Sequence, residues 1–466
     1  MGRFQGLFAG DKISIKTRMV VCSSDKLAGQ GGSAGSKNRD QMSKMKFRLL
    51  ALLVVLNGSL QSQTSLPTFE KYIKAEVPAK HELDVFLNEK GVWCKFDPQL
   101  GYILGNSLPL EGIDTSNTIS TTSANGARTM LNYKDRPCRI NTYGNSFTQC
   151  QQVSDGETWQ EYLAAHLGEP LRNYGVGGYG AYQAYLRLIR EERTKNAAEY
   201  LVFYLWGDDH TRSLLRCRYM AIKDWNSKNE PGMKFHGNFW ANIEMDLNTG
   251  KFIEKQNPLN SPQLLYKMTD TAWMYQNLKD DIALQLLLYN DNRISDLNVE
   301  KLASLSRWLN VKFDLTDTAN LKKSAVDLLN QYSFKATEYI LTKLNTYCNK
   351  SNKKLMVVLF DPYRVTNSLI TTGTRFDGEI VDFLEKGGYT YFDMNLVHVK
   401  DYKSFNLGLT DYYKQYFLGH YNPAGNHFFA FSIKDKMVNW LNPTPITYDR
   451  SGKKWVDFKG YLQGVK

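Results

Sequence analysis

Ile140-Asn-Thr-Tyr-Gly-Asn-Ser-Phe-Thr148 starts as a strand, bends at a glycine and runs on into an amphipathic helix. Such a turn lifts the Ser146 hydroxyl out at the carboxyl end of the strand. Ligands bind there in open α/β sheets, and a serine so placed is a candidate nucleophile. Gly-x-Ser alone occurs by chance in many loops, so its weight depends on the downstream chain.

Three further blocks give it that weight. Asn173-Tyr-Gly-Val-Gly-Gly-Tyr-Gly180 puts four glycines in six positions. Such a segment can turn tightly and approach a ligand closely, and its N–H groups can face a developing oxyanion. Tyr200-Leu-Val-Phe-Tyr-Leu-Trp-Gly-Asp-Asp-His210 is an apolar strand ending in Gly and polar groups. In Gly419-His-Tyr-Asn-Pro-Ala-Gly-Asn-His427, Asn422 reads as an N-cap and Pro423 as the first helical residue. His420 then lies in the loop just before a helix, and His427 on it.

The pattern between the blocks predicts a parallel sheet. Strands are expected at 138–143, 200–206, 354–360 and 389–394, apolar without alternation where they are buried on both faces. Helices are expected at 157–167, capped by Ser154 or Asp155, and at 181–195. Strands alternating with helices imply a three-layer α/β/α sandwich with a central parallel sheet. Residues 218–350 interrupt this order. They read as a mostly helical insertion or cap, with a hairpin at 239–255 around Asn248-Thr-Gly250 and helices at 263–290 and 298–346. Phe69 to Phe86 reads as an exposed helix or arm, and 108–125 as loop.

These blocks, in this order, resemble the SGNH/GDSL hydrolase superfamily. The resemblance covers roughly 94–217 and 351–440, strengthened by Phe96-Asp-Pro-Gln-Leu-Gly-Tyr102, Glu157-Thr-Trp159 and Gln183-Ala-Tyr-Leu186. It implies a flavodoxin-like SGNH hydrolase fold, with Ser146 as nucleophile, His420 as general base and Gly178 as an oxyanion donor. The implied domain plan is a leader over 1–62, an N-terminal arm and loops over 63–135, and a catalytic core over 136–217 plus 351–442. The insertion occupies 218–350 and a C-terminal tail 443–466.

The blocks also depart from the family. Asn145 stands where the family has Asp, and Asp208 where it has the oxyanion Asn, with Asp209 beside it. Residues 417 and 418, where the orienting acid is expected, are Phe and Leu. Asn145 and Asp208 read as a matched swap: if they touch, amide and carboxylate keep one hydrogen bond with roles reversed. An ionised Asp208 facing an oxyanion would repel it, whereas a neutral one could donate to it. The carboxylate orienting His420 is sought among Asp411, Asp401, Asp208 and Asp209, with Asp411 standing as the third member; a backbone carbonyl could also serve. Such an acid mainly fixes the tautomer and stabilises imidazolium.

Composition narrows the rest. The chain has 466 residues and a net charge of +11. Residues 1–62 carry ten Lys/Arg and three Asp/Glu, leaving 48 basic against 44 acidic residues and a net charge of +4 beyond them. No basic stripe interleaved with aromatics appears there, so no nucleic-acid partner is expected. Met45-Lys-Phe-Arg-Leu-Leu-Ala-Leu-Leu-Val-Val-Leu56 with Asn57 to Ser62 reads as a secretory signal peptide over about 45–62, translation starting at Met42 or Met45. Its apolar run is too short to span a bilayer, so a secreted or periplasmic protein without stable membrane insertion is expected. Five cysteines lie beyond it, an odd number that leaves at least one free. Cys150 could pair locally. No Cys/His ligand spacing appears, and His210 beside two Asp supplies too few ligands for zinc. No metal or cofactor is expected.

Together with the signal-like segment, the resemblance implies a secreted serine esterase acting on an O-acyl ester, with acetyl favoured. Its substrate would be a small acyl ester or an acylated polysaccharide or envelope glycan. The aromatic content, 28 Tyr, 23 Phe and 9 Trp, offers a carbohydrate platform as well as a core. The alternatives are an O-acetyltransferase on exopolysaccharide and a non-catalytic glycan- or partner-binding domain.

Overall fold

Five parallel strands form the centre of the molecule: β1 (Ile140–Tyr143), β2 (Arg172–Asn173), β3 (Tyr200–Leu205), β4 (Lys354–Leu359) and β5 (Thr390–Asp393). Their spatial order is β2-β1-β3-β4-β5, with Ile140 opposite Tyr200 and Tyr200 opposite Lys354. The computed structural model describes residues 65–88, 93–222, 236–314 and 317–449. The signal-like segment over 45–62 and most of the tail over 443–466 lie outside them.

β3 shows why the chain makes this sheet. All six of its residues are buried. Leu201, Phe203 and Leu205 enter one hydrophobic cluster, while Tyr200, Val202 and Tyr204 enter another. A strand covered on both faces has no place for alternating polar residues. Helices supply both covers. Helix α2 (Trp159–Leu167) and α7 (Pro423–Trp440) pack on each other on one side. Helices α3 (Ala181–Glu191) and α5 (Thr318–Lys350) cover the other. The result is a mixed α/β molecule with three layers around a parallel sheet. Among the described residues no helix is long and apolar enough to cross a membrane.

Several boundaries move. α2 starts at Trp159, capped by the Thr158 side chain accepting from the Glu161 N–H. Ser154 instead holds a short 3-10 turn at Asp155–Glu157. α3 ends at Glu191, four residues short of its expected end. The 242–246 and 251–255 strands form the expected hairpin.

Two expectations change more deeply. Residues 69–86 are not an exposed arm. Helices Phe69–Ala75 and Lys80–Leu87 bury Phe69, Tyr72, Ile73, Leu83 and Phe86 in the main core. The i, i+3, i+4 stripe of Phe69, Tyr72 and Ile73 makes an apolar face that the surrounding charges hide in a linear reading. Nor is 218–350 simply a cap. α5 runs for 33 residues, and its buried Ala336, Ile340, Leu341 and Leu344 share one cluster with β3 and β4 residues. Its Thr337 hydroxyl lies 2.8 Å from His210 Nδ1, and Ser333 lies 2.9 Å from Thr211 Oγ1.

Candidate active site

Ser146 begins the short helix α1 (Ser146–Gln149) immediately past β1. The turn before it needs glycine: Gly144 has φ +155°, and a Cβ there would run into Thr148 Oγ1 and lie 3.0 Å from Tyr204 Cβ. Asn145 caps α1, its Oδ1 accepting from the Phe147 N–H at 2.8 Å. The Asn145 amide nitrogen donates to Asp209 Oδ2. Asp209 occupies the first turn of helix α4 (Gly207–Arg212), where the same oxygen accepts from the Trp206 N–H at 2.9 Å.

An amide–carboxylate bond therefore forms at Asn145, but its acid is Asp209 and not Asp208. One residue along a helix turns a side chain by about 100°, so Asp209 points into the core and Asp208 away from it. Burial raises the Asp209 carboxyl to about 7, with the Arg212 charge working against it. Asp208 lies 3.4 Å from Arg212 and 3.6 Å from Arg364. Burial alone would raise its pKa, but the positive charge around it, that of Arg212 foremost, holds the carboxyl below its ordinary value. Asp208 is thus ionised at neutral pH and cannot donate a bond to an oxyanion.

His420 is presented by a tight turn. The Leu418 N–H donates to the His420 carbonyl at 2.8 Å, and Phe417 pairs with Tyr421. Asn422 then caps α7 through the Gly425 N–H. The turn places His420 Nε2 2.8 Å from Ser146 Oγ, although the residues are 274 apart in sequence. The imidazole packs on the Phe147 ring at 5.0 Å between centroids. Burial, and then the Arg212 charge, pulls its pKa down to about 4.

None of the expected acids reaches this imidazole. Asp411, on helix α6 (Leu409–Tyr416), bonds Lys414 at an exposed position. Asp401 accepts from the Tyr412 and Tyr416 hydroxyls. Asp208 and Asp209 are engaged as above. The neighbour of His420 Nδ1 is Gln152 Oε1, at 3.3 Å, and the same oxygen accepts from the His420 N–H at 2.7 Å. Gln152 is not among the residues that the sequence singles out, and its only local sign is its place six residues after the serine.

Gly178 belongs to a loop fastened to the serine turn. The Val176 N–H donates to the Gly144 carbonyl at 3.1 Å, and the Gly177 N–H to Gln149 Oε1 at 2.6 Å. Gly178 has φ +85°, and a Cβ there would lie 2.6 Å from both Arg218 Nη1 and the Tyr102 hydroxyl. Among the described residues, neither the Ser146 N–H nor the Gly178 N–H has an acceptor. Buried Arg218 donates to the Gly178 carbonyl at 3.4 Å. Burial, with Arg212 nearby, lowers its pKa to about 9.

Cys150 makes no local disulfide, and Cys94, Cys138, Cys217 and Cys348 are free as well. Among the described residues no group of three His, Cys, Asp or Glu could hold a metal ion.

A serine hydroxyl hydrogen-bonded to a half-buried imidazole has the parts needed for nucleophilic attack on an acyl group. The chain matches no family model, and no curated protein matches it.

Proposed function

We propose that this protein is a serine esterase of the SGNH type. The observation that carries the proposal is the 2.8 Å contact between Ser146 Oγ and His420 Nε2. It lies beyond the carboxyl end of a strand in a parallel sheet ordered 2-1-3-4-5, which is the flavodoxin-like order. His420 takes the hydroxyl proton as Ser146 attacks an ester carbonyl. The Ser146 and Gly178 N–H groups stabilise the oxyanion, and water then releases the acyl group. The substrate we favour is an O-acetyl ester on a polysaccharide or envelope glycan outside the cell, reached by export through the segment at 45–62.

The test is covalent labelling. A fluorophosphonate probe is expected to modify the peptide containing Ser146, as read by mass spectrometry, in protein that also hydrolyses p-nitrophenyl acetate. Release that depends on an added sugar acceptor would instead make it an acetyltransferase. Absence of labelling in folded protein would leave a binding domain.

The pH profile should be unusual. The base form of His420 is neutral imidazole, lost as pH falls through its pKa. With that pKa held at about 4, the His420 contribution to kcat/KM should stay level from pH 8 down to about 5 and fall only below that. An acid limb centred near 6.5, the ordinary histidine value, would show that the His420 imidazole is not depressed by its surroundings. Initial rates between pH 3 and 8 decide it.

A further inference from the structure

We infer that Gln152 is a positioning residue for the Ser146–His420 pair, its side-chain amide holding the imidazole in the tautomer that accepts the serine proton. The inference rests on the esterase reading for its catalytic consequence, but its structural content stands apart from it.

The orientation of the amide is set by two backbone groups. The His420 N–H can only donate, and it meets Oε1 at 2.7 Å. The Leu418 carbonyl can only accept, and it meets Nε2 at 3.1 Å. Exchanging the two amide atoms would break both bonds. Oε1 therefore faces His420 Nδ1 and, being a carbonyl oxygen, can only accept. The ring proton must sit on Nδ1. Nε2 is then a bare acceptor 2.8 Å from Ser146 Oγ, the tautomer a general base requires.

Gln152 is itself held. Its backbone lies in the left-handed region at φ +74°, as does Cys150 at +59°. The Gln152 N–H and the Gln151 amide both donate to the Glu111 carboxylate, each at 3.2 Å. Arg128 grips the carbonyls on either side, at Gln149, Cys150 and Val153. The amide thus performs the directional half of a triad acid's task. Having no charge, it leaves out the other half, stabilisation of the imidazolium.

The test uses ¹⁵N-histidine NMR on the full-length protein, with fluorophosphonate labelling rates alongside. The wild type at pH 7 is expected to show His420 protonated at Nδ1 alone. In Gln152→Ala the tautomers should mix, and labelling of Ser146 should slow by about tenfold or more. Gln152→Glu should restore the Nδ1–H tautomer and add a charge. The acid limb should then move up by a pH unit or more, which a merely structural residue would not cause. Protonation of Nε2 in the wild type would overturn the inference. So would Gln152→Ala labelling at the wild-type rate with an unmoved acid limb. If wild-type Ser146 is never labelled, the esterase reading fails, while the NMR spectrum still decides what Gln152 does.

Discussion

Ser146→Ala is expected to lower kcat/KM for p-nitrophenyl acetate by about a thousand- to a hundred-thousand-fold. Removing a serine from a triad with a full acid costs about a millionfold, and removing the acid costs about ten-thousand-fold. This site has Gln152 where such an acid would stand, so the wild type starts from a lower rate and has less to lose. Correct tautomer placement keeps part of what the charge would have added. The serine and histidine act on one proton, so their losses should not add. His420→Ala is expected to match Ser146→Ala, and the double variant should be no worse than either. Multiplying losses would mean that the two residues work independently and that the short contact between them is incidental.

The largest effect on stability is expected at Arg128, a residue that no motif or periodicity marks. Its side chain is buried, and Nε meets Asp155 at 2.9 Å. Its two terminal nitrogens bond the carbonyls of Gln149, Cys150, Val153 and Ile119. Arg128→Met preserves much of the volume but takes the cation away from the buried Asp155 carboxylate, which keeps its Thr121 donors, and removes the guanidinium donors from the Cys150 and Val153 carbonyls. Breaking one side of a buried pair costs about 3–5 kcal/mol, and urea unfolding of wild type and variant measures it. Arg128→Lys should recover little, because one ammonium cannot reproduce a planar fork. A loss below about 1 kcal/mol in Arg128→Met would place Arg128 among weak surface pairs. Loosening of the 149–153 loop should also slow labelling of Ser146 through misplacement of Gln152.

Legibility in the sequence depends on how far apart the interacting residues lie. β3 was legible because burial on both faces leaves an unbroken apolar run, and that run needs no knowledge of its neighbours. The entry to α7 was legible because Asn422-Pro423 is a local cap. The serine, glycine and histidine were found through block order, and the structure joins the first and last of them. Asp411 was sought as an acid near His420 along the chain, but its helix turns it toward Lys414 and solvent. Gln152 lies 268 residues from His420, in a left-handed loop with no periodicity to reveal it. The choice of Asp208 over Asp209 depended on where α4 begins, since one helical step separates a side chain facing Asn145 from one facing Arg364.

The 33-residue helix α5 bears on how this chain could be trimmed or rebuilt. It packs against β4, against α3 and against the helices that precede it. Splicing residue 217 directly to 351 would therefore uncover an oily wall of the central sheet, including Leu201, Phe203 and Val357. The stretch that looks like an accessory in the linear chain is, in folding terms, part of the cover on one face of the sheet, and a minimal version of this protein has to keep it.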